Sequence, residues 1–142
     1  MWLLFEGLDK AGKTTLEWGF LRATNFKHNV IDRGPVGYLV FDELFGRSTK
    51  LGDQEFIHQA RKLSKSKDFF VVYCKTDVDV AMKRLADHNE ECPYDYVKAQ
   101  KLLNKQIKRF YAKEKVLEVD TSNKSIDECT QEIVDWFMEK IK

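Results

Sequence analysis

Two glycines, a lysine and two threonines stand close together near the start of the chain, in the stretch GLDKAGKTT from Gly7 to Thr15. The spacing G-x-x-x-x-G-K-[ST] suits a loop whose backbone amides cradle polyphosphate oxygens. Glycine at positions 7 and 12 permits conformations and close approaches that a side chain would block. The amides of the loop, which runs through Leu8, Asp9, Lys10 and Ala11 to Gly12, Lys13 and Thr14, can then turn toward phosphate. The positive end of the following helix reinforces them. Lys13 can reach the β- and γ-phosphates, and the Thr14 hydroxyl can ligate Mg²⁺. The chemistry predicted is binding of ATP with Mg²⁺ and, beside a suitable acceptor, phosphoryl transfer.

The pattern carries weight only if a strand precedes the loop and a helix follows it. Both are predicted: WLLFE is a short continuous apolar run, and Lys13 to Ala23 places Leu16, Phe20 and Leu21 along one side. NVIDRG reads as a second strand ending in Asp32 and Arg33. Pro35 opens a helix with Leu39, Val40 and Leu44 on its apolar face, and Gly46 stops it. Asp53 to Lys65 reads as another helix, with Phe56, Ile57, Ala60 and Leu63 inward. DFFVVYCK is the third strand, and Asp77 caps a helix through Ala81, Met82 and Leu85. Pro93 restarts a long helix with Val97, Leu103, Ile107 and Phe110 as its stripe. KVLEVD is the fourth strand, and Asp127 to Ile141 is the last helix. Strands alternating with helices predict an α/β domain with a parallel sheet covered on both faces, spanning residues 1–142.

Bulk composition agrees. At 142 residues, 43% apolar and 33% charged, the chain has the make-up of an ordinary globular domain, and its net charge of +1 neither demands nor excludes a polyanionic partner. No apolar run approaches the ~18 residues that span a bilayer. Met1 to Phe5 is too short for a secretory core, so a cytoplasmic location is expected (host cytoplasm if the protein is viral). Cys74, Cys92 and Cys129 include no C-x-x-C pair, so neither a disulfide framework nor a zinc site is predicted. A GTPase would carry N-K-x-D, whereas NKSID from Asn123 to Asp127 is one residue too long, and no D-x-x-G follows the second strand. A small kinase is the remaining class.

FEGLDKAGKTT resembles the phosphate loop of thymidylate kinases, and VIDRG is similar to the Asp-Arg motif that ends their next inner strand. AMKRLADH resembles the helix leading into the family's lid, and VLEVDTS the last core strand. The resemblance implies the P-loop kinase fold, a three-layer αβα sandwich around about four mostly parallel strands in the order 2-1-3-4, with a short lid-like segment near residues 86–95. It implies that Asp32 organises Mg²⁺ or takes the acceptor proton, that Arg33 touches transferred or acceptor phosphate, and that Arg84 stacks on adenine. Asp9 would face the acceptor. Lys10 would occupy the place of the basic loop residue that neutralises transition-state charge, because ADHNEECPYD holds four acids and no Lys or Arg.

The family's long insertion before the Asp-Arg strand is absent, since only Leu16 to Val30 fill that interval. A small acceptor needs an enclosing site, so free thymidine monophosphate fits less well than a substrate that brings its own positioning. From Lys98 to Lys115 the chain holds seven cations against Glu114 alone, with Lys98, Lys101, Lys105 and Lys108 at helical spacing. Such a stripe is either a solvated face or a footprint for a nucleic-acid backbone. The chain is also similar to compact phage kinases of the same superfamily that phosphorylate 5-hydroxymethyluracil already built into DNA. Tyr38 or Phe41 would then be candidates to stack on an extruded base, against the simpler reading that both are core. The expected acceptor is that base in DNA; the alternatives are a free deoxynucleotide and a non-catalytic nucleotide-binding regulator.

Overall fold

The first strand explains the layering. In the computed structural model, which describes residues 1–142, β1 (Trp2–Gly7) pairs in parallel with β2 (Asn29–Asp32) on one side and β3 (Phe69–Lys75) on the other. β4 (Val116–Asp120) pairs in parallel with β3, which completes the order β2-β1-β3-β4. Successive side chains of a strand point to opposite faces. Leu3 and Phe5 accordingly enter one apolar layer and Leu4 the other, all fully buried. The fold is the expected α/β three-layer sandwich.

The layer around Leu3 and Phe5 is covered by α1 (Lys13–Ala23), through Leu16 and Phe20, and by α6 (Ile126–Lys140), through Ile133 and Phe137. Phe20 and Phe137 meet edge to face, with centroids 5.2 Å apart. The opposite layer takes α2 (Pro35–Leu44), α3 (Lys50–Ser64), α4 (Val78–Asp87) and α5 (Tyr96–Phe110), which bury Val40, Ala60, Ala81 and Leu103 around Leu4 and Tyr73. No helix is long and apolar enough to cross a membrane.

Several boundaries differ from the sequence expectation, and capping chemistry explains them. α3 begins at Lys50 rather than Asp53, because the Thr49 side chain accepts the Gly52 amide at 3.0 Å. α5 begins at Tyr96 rather than at Pro93, capped by Asp95, which accepts the Lys98 amide at 3.1 Å. The helix ends at Phe110, so Lys113 and Lys115 lie outside it in a short 3₁₀ turn. Val97 is 45% exposed and off the stripe, whose buried members include Tyr96, Ala99, Leu103 and Ile107. α6 starts at Ile126 with a reciprocal box between Ser125 and Glu128. Asp77 precedes α4 without a side-chain cap; its amide donates to Ser122 Oγ at 2.7 Å instead. Tyr38 is not core: it is exposed and stacks on Phe56, whereas Phe41 is buried.

Candidate functional site

The loop between β1 and α1 is anchored by its apolar residues. Leu8 and Ala11 are buried in the two opposite layers, which turns the remaining backbone of the loop outward. Gly12 caps α1 with φ 85°, a left-handed conformation that favours glycine. Lys10 adopts the same region at φ 63° without that freedom, so its surroundings must hold it there. Gly7 serves a different purpose from the one its spacing suggested: a Cβ there would stand 2.9 Å from the carbonyl oxygen of Cys74, so it permits close packing against β3.

Two clefts flank this loop and share Lys10, Gly12 and Thr15. The first, of about 330 Å³, lies toward α4 and the start of α6 and is walled by Arg84, His88, Thr121 and Ile126. The second, of about 390 Å³, faces β2 and is walled by Asp9, Lys13, Thr14, Asp32, Arg33 and Glu90. The structure thus gathers the predicted loop residues, Asp32 and Arg33 around one cleft, with Arg84 across the loop.

On the first side the loop is tied down by hydrogen bonds. Arg84 donates to the carbonyl oxygen of Lys10 at 2.7 Å, to that of Thr121 at 2.8 Å and to the Thr121 hydroxyl at 3.2 Å. The Thr121 hydroxyl in turn donates to the Ala11 carbonyl at 2.9 Å. This clasp accounts for the left-handed Lys10 and gives Arg84 a role in shaping the loop that its sequence position did not announce.

On the second side the charged groups face one another. Lys13 Nζ pairs with the Asp32 carboxylate. Glu17, one helical turn beyond Lys13, is 7% exposed, and its carboxyl lies within hydrogen-bonding reach of Asp32. Burial, reinforced by the neighbouring Asp32, pushes Glu17 up to about 8, so it is protonated at neutral pH. Burial also raises Asp32, but hydrogen bonds from Lys13 and Glu17 outweigh it and hold that carboxyl below its ordinary range. Lys10 Nζ pairs with Glu90 at 3.1 Å. Tyr94 donates to the Asp9 carboxylate at 3.1 Å, and Tyr96 donates to the Asp9 carbonyl at 3.2 Å. Residues 86–95, where α4 ends, therefore strap across the loop through Glu90 and Tyr94.

Arg33 has φ 61°, makes no ion pair, and sets its guanidinium carbon 4.2 Å above the Phe41 ring. Beneath it lies Glu6, fully buried in β1, which accepts the amides of Gly34 and Gly37 at 2.9 Å each. Burial pushes Glu6 up to about 7, against the lowering effect of those amides and of Lys13 and Arg33. The sequence reading missed Glu6, Glu17, Tyr94, Tyr96 and Thr121. Glu6 had a signal, an acid within an apolar strand, and so had Glu17, four residues after Lys13 on the same helix face. The other three had none.

The donor set fits a hard cation: Thr14 offers an exposed hydroxyl and Asp32 a carboxylate on the same cleft. No group of three or more His, Cys, Asp or Glu side chains is assembled for a metal. Mg²⁺ in phosphate sites is commonly held by one or two protein oxygens, with the nucleotide and water supplying the rest.

The basic stripe is present on α5, whose first residue Tyr96 also touches the loop at Asp9, but none of its lysines lines either cleft. Lys98, Lys101, Lys105 and Lys108 are exposed on α5, and Lys101 and Lys108 border grooves that share no residue with the two clefts of the loop.

No protein-family model and no curated protein matches the chain. Among solved structures, the chain is similar to the YorR protein of Bacillus subtilis, crystallised in complex with phosphorylated GDP. The two share 16% sequence identity at a TM-score of 0.74, over 99% of this chain and 98% of that one. At that identity, the likeness shows that this chain has the same αβα fold.

Proposed function

We propose that the chain is a P-loop kinase related to thymidylate kinases, moving the γ-phosphoryl group of a nucleoside triphosphate to a pyrimidine nucleotide. The observation that carries the reading is the second cleft. There an amide-lined loop, the Lys13 ammonium, the Thr14 hydroxyl and the Asp32 carboxylate stand around one space, with Arg33 free of any ion-pair partner. The fold neighbour is described in complex with a guanine nucleotide, which supports a nucleotide on this scaffold and makes GTP a donor to test beside ATP.

In this reading, the loop amides and Lys13 hold the β- and γ-oxygens, and the lysine exchanges Asp32 for phosphate when the donor binds. Thr14 and Asp32 would hold Mg²⁺, which supplies neutralising charge to the phosphates when bound. Lys10 lies on the same cleft and would neutralise charge developing on the transferred group, and Asp32 would orient the acceptor hydroxyl or take its proton. Arg33 would receive acceptor or transferred phosphate. Arg84, on the wall of the other cleft, would lie beside the donor base.

For the acceptor, two readings rest on different observations. The short interval between α1 and β2 leaves the acceptor side without the family's insertion, which favours 5-hydroxymethyluracil within DNA. That none of the α5 lysines lines either loop cleft favours a free deoxynucleotide. Labelled ATP or GTP with Mg²⁺, incubated with 5-hydroxymethyluracil-containing duplex or with free deoxynucleoside monophosphates, separates them. Label in the DNA supports the first and label only in the free pool supports the second. Nucleotide uptake without transfer to either leaves a binding protein and overturns the kinase.

A further inference from the structure

Arg33 has an unusual support. Its backbone is left-handed at φ 61° although it carries a side chain, a conformation that persists only where the surroundings impose it. Two groups impose it here. The Arg33 amide donates to the Phe5 carbonyl at 3.0 Å, extending the strand pairing of β1 by one residue. One residue further along β1, the two oxygens of Glu6 divide between the Gly34 and Gly37 amides, the cap and third position of α2. Neither end of α2 has a side-chain cap of its own, and Pro35 has no amide to offer. Glu6 therefore supplies from a neighbouring strand what capping residues supply locally.

The same carboxylate defines the path of the Arg33 side chain. A Cβ on Gly37 would meet Glu6 Oε1 at 2.6 Å and Arg33 Cγ at 2.7 Å. The bare side of Gly37 is thus filled by Glu6 and Arg33 together, and the Arg33 guanidinium continues to the face of Phe41. Arg33 Nε is buried and has no partner there. A guanidinium aligned by a helix turn, without a carboxylate of its own, is suited to receive an anion.

Resting on the kinase reading above, we infer that Glu6 is a positioning residue acting through Arg33. By holding the first turn of α2, it aims the Arg33 guanidinium at the phosphate-bearing acceptor beside the loop. Glu6 never reaches the substrate. Ionised, its two oxygens accept the two amides with the full strength of a charged acceptor; protonation leaves both oxygens able to accept but removes that charge and weakens both bonds. The charged and titratable groups that face it are Arg33 before α2, Lys13 on α1, Tyr73 on β3 and Tyr111 after α5. Burial pushes Tyr73 and Tyr111 up, away from neutrality, and Glu6 up to about 7, so the hold on α2 weakens and Arg33 loses its alignment as pH falls below about 7.

The test compares Glu6→Gln, Arg33→Ala and the double variant, with thymidine monophosphate and 5-hydroxymethyluracil duplex as acceptors. In Glu6→Gln the acceptor KM should rise about 10- to 100-fold while MgATP affinity, by calorimetry, stays within about twofold. The double variant should be no worse than Arg33→Ala alone. Effects of the two substitutions that multiply, or a parallel loss of MgATP affinity, would overturn the inference. A second measurement needs no catalysis. The Arg33 side-chain protons over Phe41 should be shifted upfield by the ring in NMR spectra, and the shift should vanish in Glu6→Gln and in the unaltered protein below pH 7. Its persistence in both cases overturns the role of Glu6 even if no acceptor is phosphorylated, an outcome that separately ends the kinase reading. Should Glu6→Gln not fold, Gly37→Ala, which intrudes on the same two side chains, takes its place in both measurements.

Discussion

The two flanks of the loop between β1 and α1 are built on opposite principles. Toward α4 and α6, Arg84 and Thr121 bind loop carbonyls directly, and their hydrogen bonds are complete within the protein. Toward β2 and α2, the strong groups are charges whose partners are provisional. Lys13 and the protonated Glu17 hold Asp32, Lys10 holds Glu90, and Arg33 Nε holds nothing. The first flank ties the loop down, and the second lines an open cleft with charged groups.

The contrast breaks most sharply at Lys13. Lys13→Ala removes the ammonium from the second flank and leaves the Arg84 clasp intact. Phosphoryl transfer should fall by about 10³-fold or more, and MgATP uptake should disappear from calorimetry while circular dichroism is unchanged. Retained transfer would show that the charges of the second flank do not address phosphate.

The first flank is probed by Arg84→Ala, with a smaller effect on ligand and a larger one on the fold. Losing three charge-assisted hydrogen bonds at a half-buried site should lower unfolding free energy in urea by about 2 kcal/mol. MgATP affinity should weaken about 10-fold as Lys10 leaves its left-handed conformation. Arg84→Lys should recover less than half of either, because an ammonium cannot span Lys10 and Thr121 together. A stability equal to that of the parent would reduce the clasp to an incidental contact.

How far sequence reaches differs between the flanks. The loop spacing, the alternation of strands and helices and the Asp32–Arg33 pair at the end of β2 follow from local patterns, whereas the sheet order came only with the resemblance to thymidylate kinases. Arg84, Thr121 and Lys10 meet only because α4 and β4 end beside the loop, and the contacts join residues 37 to 110 positions apart. Glu6 was visible as an acid in WLLFEG, but its purpose was not, since its partners are backbone amides and leave no mark on composition. The α5 lysines show the reverse case. Their periodicity was legible and real, yet a periodic exposed charge says nothing of distance from the loop. Val97 and the early start of α3 were missed for a smaller reason, the caps Asp95 and Thr49.

Titration sharpens the comparison further, because the second flank holds protons that the first does not. Glu17 moves from 4.5 in its ordinary state to about 8 in the fold. Between those values the native state binds more protons than the unfolded chain, so stability falls as pH rises from about 4.5 to 8. Glu17→Gln cannot titrate and should be flatter over that range, gaining about 1–2 kcal/mol on the parent at pH 8.5 and little at pH 5. Some slope should remain below pH 7, because Glu6 is also raised. Urea unfolding at pH 5, 7 and 8.5 reads it; parallel curves for parent and variant would place no proton on Glu17.

The smallest effect belongs to Glu90, and it bears most directly on the idea that these charges are held in reserve. Its carboxylate sits 3.1 Å from Lys10 Nζ, a place a phosphate oxygen would claim, and both side chains are partly open to solvent. Exposed pairs of this kind are worth about 0.2–1 kcal/mol. Glu90→Gln should therefore tighten MgATP binding by only about 2- to 5-fold, with the gain shrinking as salt is added. Because Tyr94 and Tyr96 still tie the strap to Asp9, the substitution releases one cation without freeing the segment. If affinity instead weakens, Glu90 supports the loop as Arg84 does, and the division between a fixed flank and a poised one fails at Lys10.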